Sequence, residues 1–493
     1  MDFFIRWFSG ASINLKEIMS KPSHFGPVLE NTLKYALQHL DALKTSPVAA
    51  SASLQSLRER LCKPLNTAGI PAEQVIDDLV ADTAGGIMGS AGGRFFGWVI
   101  GGALPAALAA DWLTSAWDQN AASYSCGPAE AVVEEACGTW LKDLLGLPAH
   151  ASFALTSGCQ MAHVTALAAA RNALLQRCGW HVERKGLFGA PPIRILSSDQ
   201  FHGSVTRATR LLGMGTEAVI GLPASPTGQL EAEALEQALQ QAPDALTIVL
   251  LQAGDLNIGA YDRFSELIPL AHRHGAWVHV DGAFGLWAHA SPRHQHVLKG
   301  VELADSWATD GHKWLNVPYD SGFAFVANVD AHRSAMSYEA SYITHNDGVR
   351  EQKDWNPEWS RRGRGIAVYA ALRQLGRQGV ADLVDACCES AHELVMGISA
   401  LPGAQLIWEP AVNQGLVRFH DPRPGSTEND HDRYTDAIAA AVAASGEAFF
   451  SNTTWRGMRC MRVSVCNWQT DAQDVGRAVA AVAQALERTG WRR

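Results

Sequence analysis

The sequence predicts an α/β fold in three parts. These are a helical N-terminal segment over residues 1–100, a large domain around a mainly parallel sheet over 101–370, and a small C-terminal α/β domain over 371–493. Two observations lead to this prediction. Over residues 27–82 the apolar residues follow helical spacing alone. From about residue 130, helix-like stretches alternate with short, nearly continuous apolar runs, which is typical of a parallel sheet covered by helices on both faces.

The N-terminal segment contains two sets of apolar residues at helical spacing. They are Leu29, Leu33, Ala36, Leu40 and Leu43, and then Leu54, Leu57 and Leu61. Pro64 and Pro71 interrupt the pattern, as proline does at helix boundaries. We therefore predict separate helices here.

In the large domain, β-branched and aromatic residues form short runs bounded by Gly, Pro and Asp. The predicted strands are 194–198, 247–252, 276–281, 306–308 and 322–326. The C-terminal domain mixes predicted helices with two predicted strands. The helices lie near 370–400, 431–444 and 471–488, and the strands are 415–419 and 459–465.

Composition excludes several classes of protein. Of the 493 residues, 47% are hydrophobic and 18% charged, as in an ordinary globular chain. A net charge of −10 without long basic runs disfavours a nucleic-acid partner. Nine cysteines without a C-x-x-C pair indicate free thiols in a reducing compartment. The longest apolar stretch, 95–110, is too short to span a membrane, and the first residues do not resemble a secretory signal, so we expect a cytoplasmic protein.

Two residues stand out as candidates for chemistry. Asp281 ends the predicted strand 276–281, and in open parallel sheets ligands bind beyond the carboxyl ends of strands. Lys313 follows the next strand and is flanked by His312 and Trp314. A lysine among apolar groups loses its proton more readily, which suits Schiff-base chemistry, so we expect a lowered pKa.

A turn before a predicted helix forms a candidate anion site. Ser157, Gly158, Cys159 and Gln160 follow a short apolar run and precede the helical spacing of 161–176. The backbone amides that open a helix bind phosphate well, although such a turn is by itself a common helix cap.

Four separated motifs, read together, resemble one family. His279-Val-Asp-Gly-Ala-Phe284 and His312-Lys-Trp314 are similar to the pyridoxal-phosphate-dependent group II amino acid decarboxylases, the family of aromatic-L-amino-acid and glutamate decarboxylases. Ser198-Asp-Gln-Phe-His-Gly-Ser-Val205 and Trp359-Ser-Arg-Arg-Gly-Arg364 are similar as well. The resemblance covers about residues 85–400 and implies the fold of the type I pyridoxal-phosphate enzymes, which is aspartate aminotransferase-like.

The resemblance also implies site residues. Lys313 would bind the cofactor covalently, Asp281 would face its ring nitrogen, and His202 would stack on its ring. Tyr342, 29 residues after Lys313, matches the family's proton donor in a mobile loop, whereas Tyr338 does not match. The remaining expected cofactor-binding residues are Ala283, Ser157, Gly158, Cys159, Gln160, His312 and Asp310. Two subunits share the active site in this family, so we expect a homodimer whose N-terminal helices pack across the two-fold axis.

The chain departs from the family's usual residues at several positions. Cys159 and Gln160 replace a small and a hydroxyl residue, which leaves the individual phosphate contacts open. Asp310 stands where relatives vary between Asn, Asp and Thr, and Ser321 stands where Cys or Ala is usual. Asp255 adds a carboxylate near the expected cofactor, which would be unfavourable unless it is paired or turned away.

A metal site is a further possibility that the sequence raises. His272, His274, His279, His289, His294 and His296 lie within 25 residues. No H-E-x-x-H motif or cysteine cluster accompanies them, so we expect no metal.

The expected reaction is α-decarboxylation of an L-amino acid to an amine and CO2. Aromatic substrates are slightly favoured over acidic ones. Candidates to line an aromatic pocket are Phe95, Phe96, Trp98 and Tyr124, although apolar aromatic residues at such positions more often belong to the core. Two alternatives remain: decarboxylation coupled to oxidative deamination, which gives an aldehyde, and a cofactor-binding homologue without turnover.

Overall fold

The computed structural model describes residues 25–338 and 348–490, so Tyr342 lies outside the described residues. The chain forms two compact units, Met1–Gly89 and Ser90–Arg493. No helix among the described residues is long and apolar enough to cross a membrane.

The first unit contains the predicted N-terminal helices. They are α1 (Gly26–Ala42), α2 (Leu54–Leu61) and α3 (Ala72–Thr83). Ser53 caps α2 by accepting the N–H of Ser56 at 3.1 Å, and Asp77 of α3 accepts hydrogen bonds from Asn31 and Tyr35 of α1. None of the residues in these three helices is buried. Their apolar side chains therefore remain exposed or only partly buried in a single chain.

The second unit contains a seven-stranded sheet in the order β2-β8-β7-β6-β5-β3-β4. Its strands are β2 (Ser152–Thr156), β3 (Ile193–Ser198), β4 (Val219–Leu222), β5 (Leu246–Gln252), β6 (Trp277–Asp281), β7 (Ser306–Asp310) and β8 (Gly322–Val326). Neighbouring strands from β7 to β4 pair in parallel, and β8 pairs antiparallel with both β2 and β7. The prediction of a mainly parallel sheet is confirmed.

Helices cover this sheet, as its apolar strands require. In chain order they are α4 (Pro105–Trp117), α5 (Pro128–Leu144), α6 (Cys159–Arg177), α7 (Val182–Lys185), α8 (Gly203–Leu211), α9 (Ala232–Gln241), α10 (Phe264–Arg273) and α11 (Val329–Met336). Helix α6 runs beneath the centre of the sheet and is buried along much of its length, including His163 and Asn172. Its first turn therefore lies close to the carboxyl ends of β6 and β7.

A second sheet of five strands has the order β1-β11-β12-β10-β9. Its strands are β1 (Phe95–Phe96), β9 (Ala404–Trp408), β10 (Gln414–Phe419), β11 (Phe449–Trp455) and β12 (Met458–Ser464), and its helices are α12 (Gly365–Ser399), α13 (Glu428–Ser445) and α14 (Ala472–Arg488). Two helical stretches of α12 meet at Gly376, whose φ of 61° breaks the helical geometry near the expected domain boundary at 370.

Strand β1 lies within the expected N-terminal segment but pairs in parallel with β11. The rings of Phe95 and Phe449 stack with their centroids 4.9 Å apart, and those of Phe96 and Phe450 at 5.4 Å. These aromatic contacts bring residues beyond about 90 into the C-terminal sheet.

Candidate active site

The turn before α6 is closely packed against the end of β7. Asp310 Oδ1 accepts the N–H of Cys159, the first residue of α6, at 2.6 Å. A Cβ on Gly322 would lie 2.4 Å from Cα of Gly158, so glycine is required where β8 passes the turn. The first amides of a helix lack partners within the helix, and Asp310 takes one of them. The turn thus presents the remaining amides as a candidate anion site, at the residues that the sequence indicated.

Lys313 lies three residues beyond β7, and its amine faces the same carboxylate. Its Nζ lies 3.2 Å from Oδ2 of Asp310. The backbone of Gly101 approaches the carbonyl of Lys313 so closely that a Cβ there would lie 1.9 Å from the oxygen. The segment after β1 therefore fixes the loop that carries the lysine.

The electrostatic environment of Lys313 differs from the sequence prediction. Burial acts to lower the pKa of the amine, but the neighbouring negative charge of Asp310 and the charge of Asp281 outweigh it and raise the pKa above its ordinary value. The expectation of a lowered pKa was wrong for the chain without a cofactor, because it did not include the Asp310 contact.

Asp281 ends β6 and is buried, as the sequence predicted. Its Oδ1 accepts the N–H of Ala283 at 3.1 Å, and its Oδ2 lies 3.4 Å from Nε2 of His163. Burial alone would raise the pKa of this carboxyl, but the charges of His163, His202 and Lys313 and the hydrogen bond from His163 hold it well below its ordinary value. Asp281 is therefore a permanent carboxylate at the edge of the sheet.

His202 precedes α8 with an exposed ring and caps the helix. Its Nδ1 accepts the N–H of Ser204 at 3.2 Å, and Gln160 donates from Nε2 to the carbonyl of Ser204 at 3.1 Å. Although His202 is partly exposed, desolvation by the groups around it lowers its pKa, and the charges of Asp281 and Lys313 act on the same ring in opposite directions. The structure thus brings His202, Asp281 and Lys313 into one site.

His312 holds the lysine loop in place. Its Nδ1 accepts the N–H of Ser321 at 3.1 Å, and its ring stacks on Tyr319 with centroids 4.4 Å apart. Its Nε2 lies 3.6 Å from Oδ1 of Asp310. Burial lowers the pKa of His312, so the ring is neutral beside the candidate anion site.

The carboxylate of Asp255 is paired within its own loop. It accepts the backbone N–H groups of Asn257 at 2.8 Å, Ile258 at 3.2 Å and Ala260 at 2.6 Å. Burial raises the pKa of Asp255, while these three donors act to lower it. The sequence left open whether the carboxylate of Asp255 is paired. The structure shows that it is, because its oxygens accept hydrogen bonds from the backbone of its own loop.

Sequence reasoning missed two residues of the site, His163 and Arg462. His163 lies one turn after Cys159 on α6, with its Nε2 3.5 Å from Sγ of Cys159. Arg462, on β12, is buried; its guanidinium donates to the carbonyl of Leu256, and its charge acts on Asp255 and His202. A charged residue inside the apolar run 459–465 was the available signal for Arg462.

The aromatic residues divide between core and surface. Phe95 and Phe96 are buried in the small sheet, as the core interpretation required. Trp98 is 49% exposed, three residues before the Gly101 backbone that contacts Lys313. Tyr124 is partly buried and donates its backbone N–H to Glu351 at 3.1 Å.

The histidines between residues 272 and 296, which raised the possibility of a metal site, contact different partners. His272 contacts Asp305 at 3.0 Å, and His294 lies 3.6 Å from Asp385. Among the described residues, the potential ligand atoms of Cys159, His163 and Asp281 lie within 4.8 Å of one another. Within this group, Nε2 of His163 lies 3.5 Å from Sγ of Cys159 and 3.4 Å from Oδ2 of Asp281.

The chemistry of these groups fits pyridoxal phosphate. Lys313 offers a primary amine for an aldehyde, Asp281 a buried carboxylate for a protonated ring nitrogen, and the turn before α6 backbone amides for a phosphate. Small residues lie beside these groups: Ala154, Ala162, Ala308 and Ala324 pack with Cys159 in one cluster, against which Ala283 and Trp355 pack.

Comparison with known proteins gives consistent matches. The pyridoxal-dependent decarboxylase conserved domain matches residues 57–420. The aromatic-L-amino-acid decarboxylase of Bacillus atrophaeus is 25% identical over 452 residues, 89% of this chain and 90% of that protein. The L-2,4-diaminobutyrate decarboxylase of Rhizobium meliloti is 28% identical over 393 residues, 78% of this chain and 75% of that protein.

A crystal structure of Oryza sativa TDC with PLP and tryptamine superposes with a TM-score of 0.88 at 21% identity, covering 97% of this chain and 99% of that chain. This likeness confirms the predicted type I fold.

Proposed function

Because the chain belongs to the pyridoxal-dependent decarboxylase family, in which it is a pyridoxal-phosphate-dependent lyase, we propose that it removes the α-carboxyl group of an L-amino acid and releases the amine and CO2. One observation carries the proposal: the buried carboxylate of Asp281 ends β6, and Lys313 follows the adjacent parallel strand β7, with its Nζ 3.2 Å from Oδ2 of Asp310 at the end of that strand. Pyridoxal phosphate, when bound, supplies an electron-withdrawing ring that takes up the electron pair of the broken bond.

The residues of the chain have distinct roles in this proposal. Lys313 attaches the cofactor and gives up its place to the substrate amine. Asp281, ionised at neutral pH, keeps a proton on the ring nitrogen, and His202 presents a flat face that holds the ring in plane. Ala283 limits the space beside Asp281, and the turn over Ser157, Gly158, Cys159 and Gln160 faces the phosphate.

Arg462 is the residue best suited to bind the substrate carboxylate. The positive charges of Lys313 and Arg462 both act to lower the pKa of His202. The Nε of Arg462 is buried and has no hydrogen-bond partner among the described residues. A planar guanidinium binds carboxylates in two-point contact, so we assign it the α-carboxylate.

Aromatic substrates remain slightly favoured. The exposed indole of Trp98 and the exposed phenol of Tyr319 both lie within a few residues of contacts with the Lys313 loop. Such surfaces suit the ring of an aromatic amino acid. Tyr342 is proposed as the acid that protonates the substrate carbon after CO2 leaves.

We also propose a cytoplasmic homodimer. Leu33, Leu37 and Leu79 of the N-terminal helices are exposed in a single chain, and the nine cysteines are free thiols. Sedimentation of the full chain should give twice the mass of one chain. A monomer at all concentrations would contradict the dimer.

The test of the function is the release of CO2 from a panel of L-amino acids by protein loaded with pyridoxal phosphate. The panel should include aromatic, acidic and diamino acids, with the amine measured in the same samples. Borohydride reduction and peptide mapping should place the pyridoxyl mass on Lys313. A label on another lysine, or no CO2 from any amino acid, would contradict the proposal.

A further inference from the structure

The strand that carries Asp281 places a series of side chains on one face. Successive residues of a strand alternate between faces, so Trp277, His279 and Asp281 point to the same side of β6. Helix α6 packs on that side and contributes His163. His163 and His279 are fully buried. The reaction proposed above assigns no role to either histidine.

Hydrogen bonds join these side chains in a row that ends at Asp281. Nε1 of Trp277 donates to Oγ of Ser306 at 2.9 Å, and this Oγ lies 2.9 Å from Nδ1 of His279. Nε2 of His279 lies 2.9 Å from Nδ1 of His163. Nε2 of His163 in turn lies 3.4 Å from Oδ2 of Asp281. We refer to Trp277, Ser306, His279 and His163 as the relay.

The chemistry at the two ends gives the relay a direction. An indole N–H only donates, and an ionised carboxylate only accepts. With both imidazoles neutral, His163 donates from Nε2 to Asp281 and must accept at Nδ1. His279 then donates from Nε2 and accepts at Nδ1 from the hydroxyl of Ser306. Every polar hydrogen in the row has an acceptor. A proton added to His163 would reverse the bond to His279, but Nε2 would still donate to Asp281.

We propose that His163 and His279 are positioning residues that keep Asp281 ionised and aimed at the ring nitrogen of pyridoxal phosphate. The inference rests on the proposed function, in which Asp281 faces that nitrogen. Burial alone would favour the neutral acid at this position, and the N–H of His163 supplies a hydrogen bond that opposes it. His279 fixes the orientation of His163, as an outer partner fixes a metal-binding imidazole. Hydrogen bonds in such a row strengthen one another.

His332 offers a matched control for loss of packing. It is also fully buried, and burial lowers its pKa to about 3, as it does for His279. Its Nδ1 lies 2.9 Å from Oγ of Ser152, and its Nε2 lies 2.9 Å from the carbonyl of Trp355. Like His279 it pairs with a serine, but its partners do not lead to Asp281.

The first experiment uses the full chain without cofactor and with 15N-labelled histidine. NMR should show a proton on Nε2 of His163, and the signal is assigned by its loss in His163→Gln. An unprotonated Nε2 would overturn the proposal. This measurement does not depend on any decarboxylation, so it remains decisive if the proposed reaction is wrong.

The second experiment measures dissociation constants for pyridoxal phosphate and for its 1-deaza analogue, in which carbon replaces the ring nitrogen. The preference of the parent for pyridoxal phosphate reports the contact with Asp281. His163→Leu should reduce this preference about tenfold, and Ser306→Ala should reduce it less. His163→Gln should restore most of it, because an amide N–H can still donate to Asp281, and His332→Leu should leave it unchanged.

The outcomes distinguish the relay from the cofactor assignment. A parent without preference for the ring nitrogen would overturn both the role of Asp281 and the relay. A clear preference in the parent that His163→Leu and Ser306→Ala leave unchanged would overturn the relay alone. An equal loss in His332→Leu and His163→Leu would show that packing, rather than the hydrogen bonds, determines the effect.

Discussion

Asp310 contacts both the amine of Lys313 and the helix that faces the expected phosphate. Its Oδ2 lies 3.2 Å from Nζ of Lys313, while its Oδ1 accepts the N–H of Cys159 at 2.6 Å. One carboxylate therefore keeps the amine protonated and adds negative charge beside an anion site. Both effects oppose the binding of a phosphorylated aldehyde. Its aldehyde reacts only with a neutral amine, and its phosphate is repelled by a nearby negative charge.

Asp310→Asn should speed the capture of pyridoxal phosphate. The amide keeps an oxygen for the N–H of Cys159 but removes the charge that raises the pKa of Lys313, so a larger fraction of the amine is neutral at pH 8. We expect pyridoxal phosphate to be captured several-fold faster and bound more tightly. The absorbance change after mixing measures the rate of capture. The pH at which capture reaches half its maximal rate should shift downward.

The control for this change is Asp305→Asn. Asp305 precedes the other end of β7 and also accepts a backbone N–H, that of Val278, at 2.7 Å. The Asp305→Asn variant should capture pyridoxal phosphate at the parent rate. Slower capture in Asp310→Asn would mean that the carboxylate helps to hold the cofactor.

Asp281→Asn should retain part of the cofactor affinity and lose nearly all turnover. Asparagine preserves shape and the contact with Ala283, but it cannot hold the ring nitrogen protonated, so the ring withdraws electrons less strongly. The rate of CO2 release should fall by at least about a hundredfold, roughly 3 kcal/mol of activation free energy. Asp255→Asn, another buried carboxylate with backbone partners, in the loop after β5, serves as control. Activity within a few-fold of the parent would assign the role to another group.

Arg462→Met should weaken binding of amino acids but not of the product amine. The variant removes the buried guanidinium that we assign to the α-carboxylate, and the amine lacks this group. KM for the best amino acid should rise by at least about tenfold, while inhibition by the amine stays within a few-fold. Arg459→Met removes a more exposed arginine of the same strand, which pairs with Asp436, and should change neither value. Equal weakening of both ligands by Arg462→Met would indicate a structural role.

Local sequence patterns predicted the site residues whose positions depend on their neighbours in the chain. Asp281 ends a strand, and Lys313 and the turn before α6 each follow one, so their common edge follows from the mainly parallel sheet. His163 and Arg462 could not be placed in this way, because α6 and β12 reach Asp281 and His202 only through tertiary packing. The pKa of Lys313 was predicted in the wrong direction for a different reason, because the charge of Asp310, only three residues earlier in the chain, was left out. Strand β4 was missed because it is a short, half-exposed edge strand.

Glu130→Gln should stabilise the fold increasingly as pH rises. Burial, followed by the charge of Glu134, raises the pKa of Glu130 to about 7, and its Oε1 accepts the N–H of Gly365 at 3.0 Å. The folded state therefore binds a proton more tightly than the unfolded chain, and stability falls as pH rises from about 4.5 to about 7. Glutamine keeps the acceptor and avoids this loss, roughly 3 kcal/mol at pH 8.

Urea unfolding at pH 5 and pH 8 measures this effect. The gain in unfolding free energy for Glu130→Gln should be small at pH 5 and large at pH 8, and Glu135→Gln, at a neighbouring and less buried position, serves as the control. A gain that is the same at both pH values would show that Glu130 is not protonated in the folded state.

The last prediction concerns Tyr342, which lies outside the described residues and is assigned by its spacing from Lys313. A phenol is a suitable acid for the carbon that has lost CO2. Tyr342→Phe keeps the ring but removes the proton donor, so the electron-rich carbon persists and becomes open to dioxygen. We expect CO2 release to continue, amine formation to slow at least about tenfold, and some product to appear as aldehyde, ammonia and hydrogen peroxide. Tyr338→Phe, the neighbouring tyrosine that does not match the spacing, should behave as the parent. Oxygen uptake and amine yield measured together decide the question: amine at the parent rate without oxygen uptake in Tyr342→Phe would mean that the proton comes from another group.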